Sequence, residues 1–582
     1  MRRFRSLSLL LEYLGKHRAR FAAGFLLLAG TNLLALTVPR LLKRAVESIQ
    51  GSDRRGLLLY SAAIVLVALA QAGVRTLSRL AILGASRYVA TELRDRLFGH
   101  LQLLPLSYYG RQSIGDITSR AINDMQLVRG FFGFGLMNLL NTSLIYVTAV
   151  SMMFVMDPRL TLWALAPFPL FIIAVHRLSR RIYSRTREVQ EQLGALSSRA
   201  QETISGMNLI KTYAREEAES EVWNGMSREY LRRTLSLARV RGTMVPIMGI
   251  MGSVGTLVVV GLGGRAVIDG RLGLGDFVAF NAYLAMLAWP TLAFGWILNT
   301  FQRGAAAMGR ISEILDEPTE NRDPEPEDSP MEGSIQVRGL TFAHEGSPAG
   351  TRHLDDIRLD VPSGTTLGII GTVGSGKSTL VGMLPRALAT PPGTVFIDGE
   401  DVTAMPLDRL RRHIAVVPQE PFLFRRSIRE NVRLAPVDAS EADLESAVEM
   451  SCLSRDLDLF PDGLDTMVGE RGVTLSGGQR QRATIARALI VKPAILILDD
   501  ALSSVDAQVE HELVEHLKGL KGESTMIIVS NRVASLSWAD RIIVMDGGSI
   551  IESGTHQDLM RAGGLYARIA DRQSLASRLE DL

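Results

Sequence analysis

Eight consecutive residues, Gly371-Thr372-Val373-Gly374-Ser375-Gly376-Lys377-Ser378, fit the pattern G-x-x-x-x-G-K-S. Each fixed position suits phosphate chemistry. Glycines let backbone N–H groups turn inward around anionic oxygens, the lysine meets the β- and γ-phosphates, and the serine hydroxyl can ligate Mg²⁺. An apolar, strand-like run at 366–370 precedes the loop and a helix-like run at 378–384 follows it. Strand, loop and helix in that order place phosphates at a helix N-terminus, where the dipole favours negative charge. Downstream, Ala494-Ile495-Leu496-Ile497-Leu498-Asp499 reads as a buried parallel strand that carries a carboxylate towards Mg²⁺. The chemistry these residues can do is that of a nucleoside triphosphate.

Between the loop and the acid strand lies Leu475-Ser476-Gly477-Gly478-Gln479, followed by Arg480-Gln481-Arg482. Here the chain resembles the ATP-binding cassette (ABC) superfamily, whose signature motif reads LSGGQ. Further motifs fall in the family's order. Gln419 in Val417-Pro418-Gln419-Glu420 resembles the Q-loop, Gly469-Glu470-Arg471-Gly472 the exporter-type X-loop, and Ser503-Ser504-Val505-Asp506 the D-loop. The resemblance covers residues 334 to 575 or so. It implies an α/β P-loop domain with ATP and Mg²⁺ as cofactors. ATP would be held by His344, Gly371, Thr372, Val373, Gly374, Ser375, Gly376, Lys377, Ser378 and Thr379, and the metal by Ser378, Gln419 and Asp499. Leu475, Ser476, Gly477, Gly478 and Gln479 would contact the ATP of a second cassette.

Three residues depart from the family's pattern. The acid strand usually ends Asp-Glu, the Glu orienting and helping to deprotonate the attacking water, but Asp500 stands there. Asp is one methylene shorter, on the order of 1.5 Å of reach, and a base must come within hydrogen-bond distance of its proton. Asn531, in Val529-Ser530-Asn531-Arg532, replaces the switch-loop His that contacts the γ-phosphate; an amide donates a hydrogen bond but carries no proton charge. His344 replaces the Tyr that stacks on adenine, and stacks less extensively. With an intact signature beside altered hydrolysis residues, the resemblance implies a heterodimer with one degenerate site. This chain would hold ATP in a slow site and lend its signature to a non-identical half-transporter that carries the catalytic Glu and switch His. The alternative is a homodimeric slow ATPase acting as an ATP-gated regulator or channel. A soluble cassette ATPase of the DNA-repair sort is disfavoured by the rest of the chain.

That rest reads as membrane protein. Composition is 47 % hydrophobic and 21 % charged, but the apolar residues concentrate before position 300. Stretches near 21–38, 57–74, 131–156, 160–176, 244–268 and 277–298 are long enough to cross a bilayer as helices. Pro39, Pro167, Pro169, Pro246 and Pro290 bend such helices without abolishing them. Arg2, Arg3, Arg5, Lys16, Arg18 and Arg20 precede the first span, and the long segments 85–130 and 177–242 are rich in Arg. The positive-inside rule then places the N-terminus, both long loops and the P-loop domain in the cytoplasm, with the chain multi-pass in the cell's inner membrane. The first apolar run is too long, and lacks the cleavage site, for a secretory signal.

Six helices and one cassette resemble an ABC exporter half-transporter, a helical membrane domain joined to the α/β domain. In that family the long loops are helix extensions that touch nucleotide domains, and 112–120 and 202–211 resemble its patterns there. The expected organisation is a membrane domain at 1–315, an acidic Pro-containing linker at 316–333, a nucleotide-binding domain at 334–575 and a tail at 576–582. Candidate cavity residues are Asn32, Asn138, Asn141 and His176, each equally suited to bonding a neighbouring helix, and Met244, Met248, Met251 and Met286. Amphipathic drugs, lipids or peptides suit such a surface. Net charge is only +3, no basic aromatic platform for nucleic acid occurs, and the one cysteine, Cys452, excludes an intrachain disulfide.

Overall fold

The computed structural model describes residues 2–580 apart from 321–328, 345–346, 349, 436–437, 470–474 and 504–505. The chain divides into two compact units. One comprises Met1–Leu103 and Ser113–Glu317, the other Pro318–Leu582 together with Leu104–Gln112.

The first unit is wholly helical. Five helical runs are long and apolar enough to span a bilayer: Arg18–Gln50, Arg54–Gln102, Ile114–Met156, Pro158–Ser205 and Leu274–Leu315. The span expected at 244–268 is less regular. It runs as Met244–Val258, a π-turn at Val259–Gly263 and Gly264–Ile268, and its apolar part, Ser253–Ile268, is shorter. Pro39 and Pro290 lie inside unbroken helices, as lipid-buried helices permit. Turns carry their own caps. Asp53 accepts from the backbone N–H groups of Arg55 and Gly56, and Asp157 accepts from Leu160 N with Pro158 in the first helical turn. Leu58, Leu59, Leu66 and Leu69 remain exposed, because the solvent for this face is lipid rather than water.

Inside the bundle, polar side chains bind neighbouring helices. The Asn32 amide donates to Leu28 O at 2.9 Å and to Asn141 Oδ1 at 3.1 Å, and Tyr283 donates to Leu36 O at 3.1 Å. Asn138 bonds back to Phe134 O. Of the four polar candidates, Asn32 and Asn141 are engaged with each other across helices, Asn138 bonds only within its own helical run, and His176 is exposed. Met286 packs against the core around Phe280, Tyr283 and Leu287; the Met248 and Met251 side chains lie outside the described ones.

The second unit is α/β. Ten strands are β1 (Ile335–Phe342), β2 (Leu354–Val361), β3 (Thr366–Gly371), β4 (Val395–Ile397), β5 (Glu400–Asp401), β6 (Ile414–Val417), β7 (Ile495–Asp499), β8 (Thr525–Val529), β9 (Arg541–Asp546) and β10 (Ser549–Gly554). They form an antiparallel sheet ordered β2-β1-β4-β5 and a six-stranded sheet ordered β10-β9-β3-β8-β7-β6, parallel except at the β10 edge. Its central strands are apolar on both faces, as a covered parallel sheet requires. Leu496, Leu498, Met526 and Ile528 enter one core, while Ile495, Ile497, Ile527 and Val529 enter the other. The β3–β8–β7 register brings the P-loop and the acid pair to the carboxyl edge of the sheet, where open α/β folds place their ligands. The X-loop residues Glu470, Arg471 and Gly472, and Ser504 and Val505 of the D-loop, lie outside the described residues.

Candidate nucleotide site

β3 ends at Gly371, the loop turns through Gly374 and Gly376 at positive φ, and a helix runs from Lys377 to Met383. At Gly376, φ is 94° and a Cβ would lie 2.5 Å from His353 O, so no other residue fits without rebuilding the loop. Lys377 Nζ donates to the carbonyls of Gly371 and Thr372, both at 2.9 Å. Burial holds this amine below the usual lysine range, with Asp500 and Asp499 pulling it back up. Thr372, Val373 and Gly374 are exposed along the rim. Ser375 is buried, and its hydroxyl has no partner among the described residues. An orphaned hydroxyl, a rim of backbone N–H groups and a tethered ammonium fit an anion as a nucleotide phosphate would present it.

Across the carboxyl edge, Ser378 Oγ donates to Asp499 Oδ1 at 3.1 Å. Hydroxyl and carboxylate thus lie together, a pair that could ligate a cation bound to phosphate. Among the described residues, no cluster of three or more His, Cys, Asp or Glu could hold a metal. A P-loop Mg²⁺ needs none, since phosphate and water supply most of its ligands. Gln419, just past β6, donates to Asp500 Oδ2 across 3.5 Å. His344 is half-buried, its Nε2 is 3.3 Å from Thr379 Oγ1, and its ring meets His353 edge-on at 4.6 Å. Burial, then His353, holds His344 below the usual histidine range, so a neutral ring faces the site.

Asp500 follows β7 with φ 50°, a left-handed conformation that Asp tolerates better than most residues. Its N–H donates to Val529 O at 2.9 Å, and its carbonyl accepts from Ser503 Oγ at 2.8 Å. The carboxyl is held above the usual aspartate range by burial and then by Asp499, against Lys377, the Asn531 N–H and Arg532. A folded-state value raised in this way stabilises only at low pH and is lost as pH rises through it, so at neutral pH the ionised carboxylate is a cost. Asp500→Asn, in the nucleotide-free protein, is therefore expected to raise the melting temperature of this domain at pH 7 by roughly 2 °C. The gain should vanish as pH falls to about 4; an equal gain at both pH values in calorimetry would exclude charge as its origin.

Asn531 is exposed, and its side-chain amide has no partner among the described residues. Its backbone is clamped. Gln573, on the helix Leu565–Glu580, donates from Nε2 to Asn531 O at 2.6 Å and accepts from Val533 N at 2.8 Å. Glu510 binds both Arg532 and Ser535 from the helix Ala507–Gly519, which Asp506 of the D-loop caps through Val509 N at 3.0 Å. Neither Gln573 nor Glu510 belongs to a spaced motif, and no sequence signal marks them.

The signature forms the start of its own helix, Gly477–Leu489. Leu475 is buried, while Ser476 and Gly477 are exposed. Ser476 Oγ accepts from Gln479 N, and Gln479 Oε1 accepts from Ser476 N at 3.0 Å, a reciprocal capping box.

Comparison with known proteins agrees with this architecture. The family model described as the ABC transporter transmembrane region matches residues 21–291, and that of the ABC transporter matches residues 354–503. The chain is 34% identical over 560 residues, 96% of itself and 95% of its relative, to the probable multidrug resistance ABC transporter ATP-binding/permease protein YheI of Bacillus subtilis. It is 32% identical, over 100% of itself and 98% of the relative, to the multidrug resistance-like ATP-binding protein MdlA of Escherichia coli. To the ATP-dependent lipid A-core flippase of Syntrophus aciditrophicus it is 30% identical, over 97% and 94% of the two chains. Among solved structures, a bacterial Atm1-family ABC exporter with ATP bound superposes with a TM-score of 0.77 at 25% identity, covering 96% of this chain and 98% of that one. With an ATP-binding domain and a multi-pass membrane domain fused in one polypeptide, the chain belongs to the bacterial ABC exporters, dimeric ATPases that drive transport across a membrane.

Proposed function

We propose that this chain is one half of a heterodimeric exporter that moves amphipathic drugs, lipids or peptides out of the cytoplasm. The observation that carries this is the pairing of Asp500 and Asn531 beside an intact signature whose Ser476 and Gly477 are exposed. The short carboxylate and uncharged amide suit a site that holds ATP and hydrolyses it slowly. Lys377, Ser378, Gln419 and Asp499 would hold ATP and Mg²⁺ there, the metal neutralising phosphate charge. Ser476, Gly477, Gly478 and Gln479 would complete the partner's site, opposite its Glu and His. The pattern resembles the TmrB half of the TmrAB exporter. ATP shared between two cassettes contacts both only when they close, so binding favours the closed, outward-facing state and hydrolysis releases it.

The helix Met207–Thr212 supports a partner too. It belongs to the membrane unit and leaves Leu209 and Tyr213 exposed at 64% and 69%, apolar area that a second chain would cover. The multidrug and lipid-flippase relatives favour drugs or lipids over peptides. The orientation proposed is N-terminus and nucleotide domain cytoplasmic, with residues 316–333 as the linker; Glu320 is tied to Arg411 by two contacts of 3.1 Å. One observation favours a homodimeric, ATP-gated slow ATPase instead: Asp500 sits within 3.5 Å of Gln419, among the nucleotide residues. Purification of the tagged chain from its host discriminates between the two. A stoichiometric second cassette protein with Glu and His at these positions is expected, and a pure homodimer with vigorous ATPase activity would overturn the heterodimer.

A further inference from the structure

The first turn of the signature helix rests on a buried ion pair. Asp456, on a short 3₁₀ stretch at Leu453–Leu459, is 5% exposed, and Arg482, one turn along the signature helix from Gln479, is 8% exposed. Arg482 Nε and Nη2 both donate to Asp456 Oδ2, at 2.8 and 2.6 Å. The other oxygen, Oδ1, accepts from Gln479 Nε2 at 3.3 Å. Guanidinium only donates and carboxylate only accepts, so the polarity of this chain of bonds is fixed from its buried end. Because Asp456 takes the NH₂ end of the Gln479 amide, Oε1 is the end left to accept Ser476 N. Ser476 Oγ in turn accepts Gln479 N at 3.2 Å. Its single proton is then free to be donated outward.

We propose that Asp456 is a positioning residue for hydrolysis at the ATP served by this signature, acting through the orientation of the Gln479 amide on Ser476. The proposal rests on the assignment of Ser476 to that ATP. Asp456→Asn keeps the size of the side chain but both reverses the polarity towards Gln479 and removes the charge that pairs the buried Arg482, so the thermal midpoint is read beside kcat. The new amide turns its oxygen to Arg482 and its NH₂ to Gln479, which must then present Oε1 to it. The Gln479 NH₂ now meets the Ser476 N–H, donor against donor, and the capping box opens. Gln479→Glu, added to Asp456→Asn, supplies acceptors to both neighbours and closes the box again. Gln479→Glu alone sets two carboxylates against each other.

The test uses the assembled exporter in lipid nanodiscs, with steady-state ATPase, equilibrium binding of a fluorescent ATP analogue to this chain's own P-loop, and thermal midpoint. Asp456→Asn should lower kcat by on the order of tenfold to a hundredfold, with own-site affinity unchanged. Asp456→Asn/Gln479→Glu, which returns a carboxylate beside Arg482 on a residue of the signature itself, should recover part of that loss; recovery of kcat only in step with the thermal midpoint would mark a structural ion pair and overturn the positioning role. Wild-type kcat in Asp456→Asn overturns the proposal, as does a double variant no better than the single one or as poorly folded. Ser476→Ala separates the two levels: if it leaves kcat intact, the assignment of the signature fails, whereas a loss there without one in Asp456→Asn removes the positioning role alone.

Discussion

The double variant Asp500→Glu/Asn531→His is expected to raise hydrolysis at this chain's own P-loop by about a hundredfold, the factor that an ångström of misplacement costs. The backbone at Asp500 is pinned by Val529 O on one side and Ser503 on the other. A longer side chain must therefore extend into the site rather than relax by moving the strand end. At position 531 the backbone is held by Gln573 while the side chain is exposed and unpartnered among the described residues. An imidazole there inherits a fixed attachment point and adds a group that can carry a proton. The structure adds a cost the residue types alone do not show. With φ at 50°, Glu is less comfortable than Asp, by part of the roughly 1–2 kcal/mol that the left-handed region costs a side chain. Turnover and stability should thus move in opposite directions, which general repair of the fold would not produce. The measurement is single-turnover hydrolysis with the partner's site silenced. No rise would place the limiting defect in the signature facing this ATP.

Much of the site was legible because its motifs are local. The P-loop, the acid strand and the signature each occupy fewer than ten consecutive residues, and each obeys a rule of backbone geometry that residue type reveals. What joins them is not local. Gln573 reaches the switch loop from 42 residues away, and Asp456 reaches Gln479 across 23. Asp456 stands in the acid-rich run with Asp458, Asp462 and Asp465, which on composition alone suits a solvated surface. Only the packing shows one of these carboxylates buried and committed to an arginine. In the membrane unit, hydropathy pointed to six spans, of which five are helical runs long enough to cross a bilayer and the sixth is shorter, but not to their irregularities. The π-turns at Arg120–Asp124, Phe131–Gly135 and Val259–Gly263 each add a residue to a turn, a shift that a 3.6-residue period averages away. Asn32 and Asn141, equally suited to a cavity or to bonding a neighbouring helix, bond to each other; spacing cannot settle a pairing 109 residues apart.

Two glycines with opposite local geometry should give opposite phenotypes. Gly376→Ala places a Cβ against His353 O, at a backbone conformation side chains avoid, and should disrupt this chain's own nucleotide binding together with the local fold. Gly477 is different: φ is not positive, and a Cβ there would meet nothing within 4 Å. Gly477→Val should therefore leave the domain's melting temperature and its own ATP affinity unchanged. If the exposed turn at Gly477 is where a second cassette's phosphates approach, the valine blocks that approach. Turnover of the assembled exporter should fall by about a hundredfold to a thousandfold, as when a backbone donor to a developing anion is lost. Melting curves, own-site binding and steady-state ATPase on the same preparation read all three. Full activity in Gly477→Val would mean that no ligand comes within a side chain's reach of this turn, and the signature would have no catalytic partner to serve.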